Sequence, residues 1–315
     1  MRALITGGAG FIGSHLSERL LSVGHQVTVI DNLTTGSVDN LKNSIKDINF
    51  IEGDILNKEL TEKNVSDCDV VFHLAAAVGV KNIIDHPIRS LATNYNGSEN
   101  VLFAAAKSNR RIFIASTSEV YGKNPNQPLK ETYDRVVGPP QKLRWTYSDA
   151  KALEESLAYA LFLEKQLPVT TLRFFNTVGP RQTGMYGMVV PRFVKAALNN
   201  EPLQVHGDGT QSRVFCHVDD VLDVLIEIID NDSTIGEVFN IGGVGEVTIL
   251  ELAKKIIEQT MSRSEINFTP YEDVYNSTFE DMQRRVPDIS KISTLLNWSP
   301  KRDLREIINS IANQS

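Results

Sequence analysis

Residues 7–13 read Gly7-Gly8-Ala9-Gly10-Phe11-Ile12-Gly13, between a short apolar run, Arg2–Thr6, and a helical pattern that begins at Ile12. The glycines satisfy both G-x-G-x-x-G and G-x-x-G-x-x-G spacing. Without Cβ atoms the backbone can turn tightly and approach a pyrophosphate, which the N–H groups of the following helix then bind. A strand before the glycines and a helix after them therefore predict a dinucleotide site.

Asp31 sharpens the cofactor prediction. It closes the second apolar run, 18 residues after Gly13. A carboxylate there can accept hydrogen bonds from the adenosine ribose hydroxyls, and its charge repels a 2′-phosphate. The sequence thus favours NAD over NADP. Asp54, after the third run, is a candidate for adenine contact or a simple turn residue.

The first 175 residues alternate apolar, β-branched runs with helical stretches, as expected of parallel strands buried on both faces. The predicted strands are Arg2–Thr6, Gln26–Asp31, Ile48–Gly53, Val70–Ala75, Arg111–Ser116 and Val169–Phe174. The predicted helices include Ile12–Val23, Arg89–Lys107 and Trp145–Glu164. This alternation predicts an α/β fold, a doubly wound parallel sheet (Rossmann domain) over residues 1–175.

The pattern loosens after residue 175. Short strands and helices mix with many Gly and Pro turns, which predicts a smaller C-terminal α+β lobe for the substrate over residues 176–315. Its predicted elements are the strands Leu203–His206, Val214–His217 and Val238–Ile241 and the helices Asp219–Asp230 and Thr248–Gln259. His217 and its neighbouring acids fit no metal geometry well, and Asp219 is predicted to cap a helix, so no metal site is expected.

Composition excludes several functions. A net charge of -7 without a Lys/Arg run argues against nucleic acid. No apolar run is long enough for a bilayer, and a predicted strand begins at Arg2, which leaves no room for a signal peptide. Cys68 and Cys216 lie far apart in no metal spacing, which fits a reducing compartment. We expect a cytoplasmic protein that does not bind membranes.

Two polar clusters carry the chemistry. Tyr147 and Lys151 stand at i and i+4 of a predicted helix and share a face. The ammonium favours the phenolate and is expected to lower the pKa of Tyr147 from its usual value of about 10, as would a nicotinamide cation. Thr117-Ser118-Glu119 follows a predicted strand at the sheet edge where such folds bind ligands. Together they predict an oxidation followed by a further step on the oxidised intermediate.

With these motifs the chain resembles the extended short-chain dehydrogenase/reductase family, specifically its nucleotide-sugar epimerases, dehydratases and decarboxylases. The resemblance spans essentially the whole chain. Besides the glycine turn and Tyr147/Lys151, it rests on Asp31-Asn32, His73-Leu-Ala-Ala76, Arg173-Phe-Phe-Asn176, Gly179-Pro-Arg181 and Arg213-Val-Phe-Cys-His-Val-Asp-Asp220.

The resemblance implies roles for individual residues. Tyr147 would take the proton of the sugar 4-hydroxyl as NAD accepts the C4 hydride, Lys151 would hold the nicotinamide ribose, and Thr117 or Ser118 would bind the sugar hydroxyl. The implied NAD contacts are Gly7, Gly10, Phe11, Ile12, Gly13, Asp31, Asn32, Asp54, Ile55, Leu74, Ala75, Asn94 and Lys151. The implied UDP-sugar contacts are Asn176, Arg181, Val190, Arg213 and Arg285, and Tyr186 is a candidate for stacking near the nucleotide. Related enzymes pair through two helices, which implies a homodimer.

Three outcomes can follow oxidation at C4: return of the hydride to the other face, loss of water across C5–C6, or loss of a C6 carboxylate. Glu119 could orient groups or donate a proton at C5–C6. The 4-epimerases have an apolar residue at the place of Glu119. The strings Ala115–Gly122 and Asp281–Ile289 resemble UDP-glucuronate decarboxylases, in which an arginine at the place of Arg285 is implicated in decarboxylation. In epimerases an arginine near this point binds the UDP phosphate instead.

The leading hypothesis is therefore an NAD-dependent UDP-glucuronate decarboxylase that forms UDP-xylose. A UDP-sugar 4-epimerase is the alternative, a 4,6-dehydratase the third, and a catalytically silent NAD-binding scaffold the hypothesis from another class. Residues 75–80 are closer to the epimerase and lipid-A-type decarboxylase loops than to those of UDP-xylose synthases, which leaves the sugar open.

Overall fold

The computed structural model describes residues 1–184, 188–274 and 280–314. Its strands are β1 Arg2–Thr6, β2 Gln26–Asp31, β3 Asn49–Glu52, β4 Val70–His73, β5 Arg111–Thr117, β6 Val169–Phe174, β7 Thr177–Val178, β8 Leu203–His206, β9 Ser212–Arg213, β10 Cys216–His217, β11 Val238–Ile241, β12 Val247–Thr248, β13 Ile266–Thr269 and β14 Arg284–Arg285.

The α-helices of the same residues are α1 Phe11–Ser22, α2 Lys58–Ser66, α3 Val80–Asp85, α4 Pro87–Leu91, α5 Ser98–Ser108, α6 Trp145–Lys165, α7 Val189–Leu198, α8 Val218–Glu227, α9 Ile249–Gln259, α10 Tyr271–Val274, α11 Ser290–Leu296 and α12 Leu304–Ala312. Short 3₁₀ turns form at Val38–Leu41, Ser118–Tyr121 and Asp232–Thr234, and a π-helical turn at Ala92–Gly97. Among the described residues, no helix is both long and apolar enough to cross a bilayer.

A seven-stranded sheet organises the large domain, with strand order β3-β2-β1-β4-β5-β6-β11. Every pairing in it is parallel. The chain winds outward in both directions from β1 and β4, so the carboxyl ends of these two strands border the crevice at the switch point. The doubly wound Rossmann fold predicted from the sequence is confirmed.

Both faces of the sheet are covered, as the apolar strands require. Ala3 and Ile5 of β1 join the core beneath α1, α8 and α11, whereas Leu4 joins the core beneath α2, α5 and α6. This alternation follows from the two-residue period of a strand. The two layers hold the strand ends rigidly at one edge.

The C-terminal part forms a second core of its own and also returns to the large domain. Helices α7, α9 and α12 pack with β8 around Phe193, Leu252 and Ile308. Strand β11, predicted as part of the lobe, instead pairs with β6 at the edge of the main sheet. The segment after residue 175 therefore supplies both a separate core and one strand of the Rossmann sheet.

Two predicted elements differ from the structure. The helix predicted over Arg89–Lys107 begins earlier, with Pro87 in the first turn of α4, and widens into the π turn before α5. Pro is favoured at that position because its missing N–H has no partner there anyway. Of the strand predicted at Val214–His217, only Cys216–His217 forms one, β10, which pairs with β7. The short strand before it, β9, lies outside the predicted range and pairs with β12.

Candidate active site

The glycine turn after β1 is shaped for close approach. Gly7 has a φ of +75°, which favours glycine, and a Cβ on Gly13 would overlap the Gly7 carbonyl oxygen. Helix α1 begins at Phe11, and no side chain of the described residues caps its first turn. Its N–H groups remain available to an anion, which fits the pyrophosphate of a dinucleotide.

Asp31 braces this turn. Its Oδ2 accepts a hydrogen bond from the Ala9 N–H at 2.9 Å, and its Oδ1 accepts one from the Leu33 N–H at 2.8 Å. Burial raises the pKa of the carboxyl, although both backbone bonds oppose the rise. Asp31 also lines the cavity at the end of β2, where the ribose of a bound NAD would lie.

One cavity of about 840 Å³ lies along the carboxyl edge of the sheet and unites both predicted halves of the site. Most predicted residues line it: Gly7, Gly10, Phe11, Ile12, Gly13, Asp31, Asn32, Ile55, Leu74, Ala75, Thr117, Ser118, Glu119, Tyr147, Asn176, Arg181, Val190, Arg213 and Arg285. The volume suits a large ligand held in a mostly preformed cleft.

Three predicted cofactor residues, Asp54, Asn94 and Lys151, are not among the described residues that line the cavity. Asp54 accepts a hydrogen bond from the Asn32 side chain at 2.8 Å. Asn94, in the π turn, is buried and bonds both the N–H and the carbonyl of Ala77, so it supports a cavity-lining loop. We therefore interpret Asp54 and Asn94 as supports for residues that line the cavity.

Tyr147 lies beside Thr117 at the sheet edge, and the two hydroxyls share a hydrogen bond. The prediction that its pKa is lowered does not hold for the chain alone. Burial raises the pKa well above the usual value, the carboxylates of Glu119 and Glu154 raise it further, and only the bond to Thr117 opposes them. A base of this kind needs added positive charge, which the nicotinamide cation supplies when bound.

Lys151 is turned toward the protein interior. It is fully buried, and its Nζ donates to Oε2 of Glu154 at 2.7 Å. Glu154 had no place in the sequence prediction, because a second acid on a helix is ordinarily a solvated residue. Only the packing of α6 against the sheet places it inside.

Glu119 is held between two arginines. Its Oε1 lies 3.0 Å from Nη1 of Arg285 and 3.1 Å from Nη2 of Arg144. Arg285 also donates to Oδ1 of Asn176 at 2.9 Å, while the Asn176 amide donates to the Val214 carbonyl. Burial lowers the pKa of Arg285 to about 10, so the guanidinium stays charged at neutral pH. The structure thus joins the ends of β5 and β6 to β14.

A second carboxylate extends the cluster toward the C-terminal lobe. Asp281 lies 3.0 Å from Arg213 and 3.6 Å from Arg144, and it accepts a hydrogen bond from the Tyr271 hydroxyl at 2.8 Å. Burial acts to raise the pKa of Asp281, but Arg144 and Arg213 outweigh it, so the pKa is lowered. The cluster holds three arginines and two carboxylates, one positive charge in excess.

Sequence reasoning missed Arg144. It stands three residues before Tyr147, so it lies on the same helix face, and that spacing was the available signal. Its side chain is 4% exposed and faces the cavity. Asp281, the first residue of the string Asp281–Ile289, was also not assigned a role.

Other predicted residues have local partners. Arg181 donates to both carboxylate oxygens of Glu18 at 2.8 Å, although it also lines the cavity. The cap of α8 is His217, whose Nδ1 accepts from the Asp219 N–H at 3.1 Å, so the predicted Asp219 cap is wrong. The imidazole nitrogen accepts the backbone N–H hydrogen bond that a carboxylate oxygen of Asp usually accepts at a helix N-cap. Tyr186 lies outside the described residues.

Comparison with known proteins places this chain in a family. Residues 3–242 match the model of the NAD dependent epimerase/dehydratase family. The chain is 43% identical to a UDP-N-acetyl-alpha-D-glucosaminuronate decarboxylase of Bacillus cytotoxicus, over 95% of this chain and 92% of that one. It is 39% identical to UDP-glucuronic acid decarboxylase 1 of Danio rerio, over 98% of this chain and 71% of that one.

A solved structure supports the same relationship. The crystal structure of UDP-glucuronic acid 4-epimerase from Bacillus cereus, in complex with UDP-glucuronic acid and NAD, superimposes with a TM-score of 0.88. The two chains are 30% identical, and the alignment covers 100% of this chain and 98% of the epimerase.

Proposed function

This chain belongs to the NAD dependent epimerase/dehydratase family, and from that premise we propose that it decarboxylates UDP-glucuronate to UDP-xylose through a C4-keto intermediate. NAD is its cofactor. The observation that carries the proposal is Glu119, held between Arg144 and Arg285 beside Tyr147 in one cavity. The 4-epimerases that the sequence resembles have an apolar residue at the place of Glu119.

The chemistry follows from the oxidation. Tyr147 takes the proton of the C4 hydroxyl, and NAD, when bound, supplies the acceptor and later the donor of the C4 hydride. The C6 carboxylate is then β to a ketone, so the C5–C6 electron pair passes into the C4 carbonyl as CO₂ leaves. C5 must regain a proton before the hydride returns. The excess positive charge of the arginine cluster stabilises the developing enolate.

Individual side chains divide this work. Thr117 holds the Tyr147 hydroxyl, and Ser118 lies 3.4 Å from Arg285, within reach of the sugar. Glu119 orients Arg144 and Arg285, which flank the expected position of C5–C6. Arg213, which is bound to Asp281, is proposed to bind the diphosphate of the UDP-sugar together with Asn176. We propose residues 176–315, apart from the strand β11 that joins the main sheet, as the lobe that binds the UDP-sugar.

A specific observation favours a second substrate. The Bacillus cytotoxicus relative, named for a substrate with an N-acetyl group, is 43% identical, against 39% for the Danio rerio decarboxylase. Both names describe loss of the carboxylate of a hexuronate, so the two relatives share the reaction and their substrates differ in the substituent at C2. UDP-N-acetylglucosaminuronate is therefore the second candidate substrate.

Mass spectrometry tests the reaction directly. The protein is incubated with NAD and, in separate reactions, with UDP-glucuronate, UDP-N-acetylglucosaminuronate or UDP-glucose. A product lighter by one CO₂ supports decarboxylation, and the ratio of kcat/KM values identifies the substrate. Unchanged mass with inverted C4 would indicate the 4-epimerase alternative. A product of UDP-glucose lighter by one water would indicate a 4,6-dehydratase.

We further propose a cytoplasmic homodimer. Large apolar side chains are about half exposed on neighbouring helices: Phe103 on α5 and Leu153, Tyr159 and Leu163 on α6. Such a patch supports pairing of α5 and α6 with a second copy. Cys68 and Cys216 are both free and buried, which fits a reducing compartment. Sedimentation of Leu163→Glu against the unaltered protein tests the dimer.

A further inference from the structure

An ion pair is buried behind the catalytic tyrosine. Lys151 and Glu154 of α6 are 1% and 0% exposed, and their bond of 2.7 Å joins them at i and i+3. Removing a carboxylate from water is costly unless a partner compensates it. Glu154 therefore owes its place in the interior to the ammonium of Lys151.

The other titratable groups around the pair are accounted for. His73 on β4 lies 3.8 Å from Oε1 of Glu154, but burial, aided by Lys151, lowers its pKa to about 3, so the imidazole is neutral. Glu155 is bound by Arg173 at 2.6 Å. Ser98 on α5 forms a hydrogen bond with His73 and donates to the Asn94 carbonyl. Burial raises the pKa of Glu154, and Lys151 opposes that rise.

These contacts decide how Lys151 acts on Tyr147. Two carboxylates disfavour the phenolate, those of Glu119 and Glu154. The first is compensated by Arg144 and Arg285, and the second is bound to the ammonium that should favour the phenolate. Glu154 thus fixes the position of the Lys151 Nζ on the helix that carries Tyr147, and its own charge acts against the phenolate.

We propose that Glu154 is a positioning residue that holds Lys151 and, through it, sets the pH at which Tyr147 loses its proton. The inference rests on the proposed function only in taking Tyr147 as the base. Decarboxylase, epimerase and dehydratase share that oxidation step.

The test needs no turnover. Ultraviolet titration of the NAD-saturated protein, minus that of its Tyr147→Phe counterpart, isolates the Tyr147 phenolate. Glu154→Gln keeps the shape and an acceptor for Lys151 but removes the charge. We expect the apparent pKa of Tyr147 to fall by about one pH unit. Glu154→Asp keeps the charge but places it farther from the Lys151 Nζ. In this variant the pKa of Tyr147 should fall by a smaller amount.

Glu164→Gln is the matched control, since it removes an exposed charge from the same helix and should leave the pKa of Tyr147 unchanged. An unchanged or raised pKa in Glu154→Gln overturns the proposal. If that variant does not fold, as thermal unfolding will reveal, Glu154→Asp decides alone, and an unshifted pKa there overturns it. If the protein decarboxylates no substrate, the titration of Tyr147 can still be interpreted. The proposed decarboxylase function and the proposed role of Glu154 are therefore tested separately.

Discussion

Nη1 of Arg285 lies 3.0 Å from Oε1 of Glu119, although 166 residues separate them in the chain. Glu119 follows the fifth strand of the sheet, and Arg285 lies on a two-residue strand of the C-terminal part. This bond links the Rossmann sheet to the C-terminal part of the chain at the site. It also places a cation beside the carbons at which we propose that CO₂ departs.

Arg285→Gln should slow CO₂ release by about 10²-fold or more while C4 oxidation continues, because the developing enolate loses a preorganised cation. Single-turnover absorbance of the reduced nicotinamide measures oxidation, and released CO₂ measures the later step. Arg284→Gln is the control, since its side chain is exposed and bound to Glu246. A raised KM with unaltered kcat would instead assign Arg285 to the diphosphate.

Glu119→Gln should also permit oxidation but impair the loss of CO₂ and the return of the hydride. The amide cannot hold Arg144 and Arg285 together as the carboxylate does, so their guanidinium groups lose their orientation. We expect reduced nicotinamide to accumulate on the enzyme, and a fall in kcat of about 10²-fold. Glu62→Gln, which removes a surface carboxylate bound to Lys107, is the comparison. Full turnover by Glu119→Gln would remove the main support for a decarboxylase.

Tyr147→Phe should abolish C4 oxidation and every product with it, since the variant lacks the hydroxyl that we propose as the base. Affinity for NAD should stay within a few-fold, because the glycine turn and Asp31 are intact. Calorimetric titration with NAD and product analysis measure the two effects. Tyr159→Phe, which removes only a hydroxyl from the proposed dimer patch on the same helix and away from the cavity, serves as the control.

Acid should destabilise the fold through His73. The unfolded residue gains a proton below a pH of about 6.5, whereas burial holds the folded pKa at about 3. The stabilising contribution is therefore complete above the unfolded pKa and is lost as pH falls toward the folded one, on the order of 1.4 kcal/mol per pH unit.

Urea unfolding between pH 7 and pH 4 measures this loss. His73→Asn should be less stable at pH 7 but show a shallower dependence on pH. His25→Gln, whose ring contacts the N-terminus near the surface, should keep the slope of the unaltered protein. An equal slope in His73→Asn would show that other groups cause the acid sensitivity.

Local patterns predicted much of this molecule because the forces involved are local. The glycine spacing, the unbroken apolar strands and the i, i+4 pair of Tyr147 and Lys151 each depend on a few neighbouring residues. The helix that begins at Pro87 was harder to predict from the sequence, because its π turn depends on the contact between Asn94 and Ala77, 17 residues away in the chain. The strand Val238–Ile241 was predicted, but its pairing with the Rossmann sheet is a long-range choice.

The sequence by itself determined the Rossmann fold, the preference for NAD and the tyrosine that starts the reaction, because backbone sterics and strand periodicity act over short spans. Only the tertiary structure decided what surrounds that tyrosine. Arg144 and Arg285 converge on Glu119 from different segments, and Asp281 joins this cluster through Arg144. Glu154 lies buried against Lys151. Charges interact through space, so their partners follow from packing and not from position in the chain.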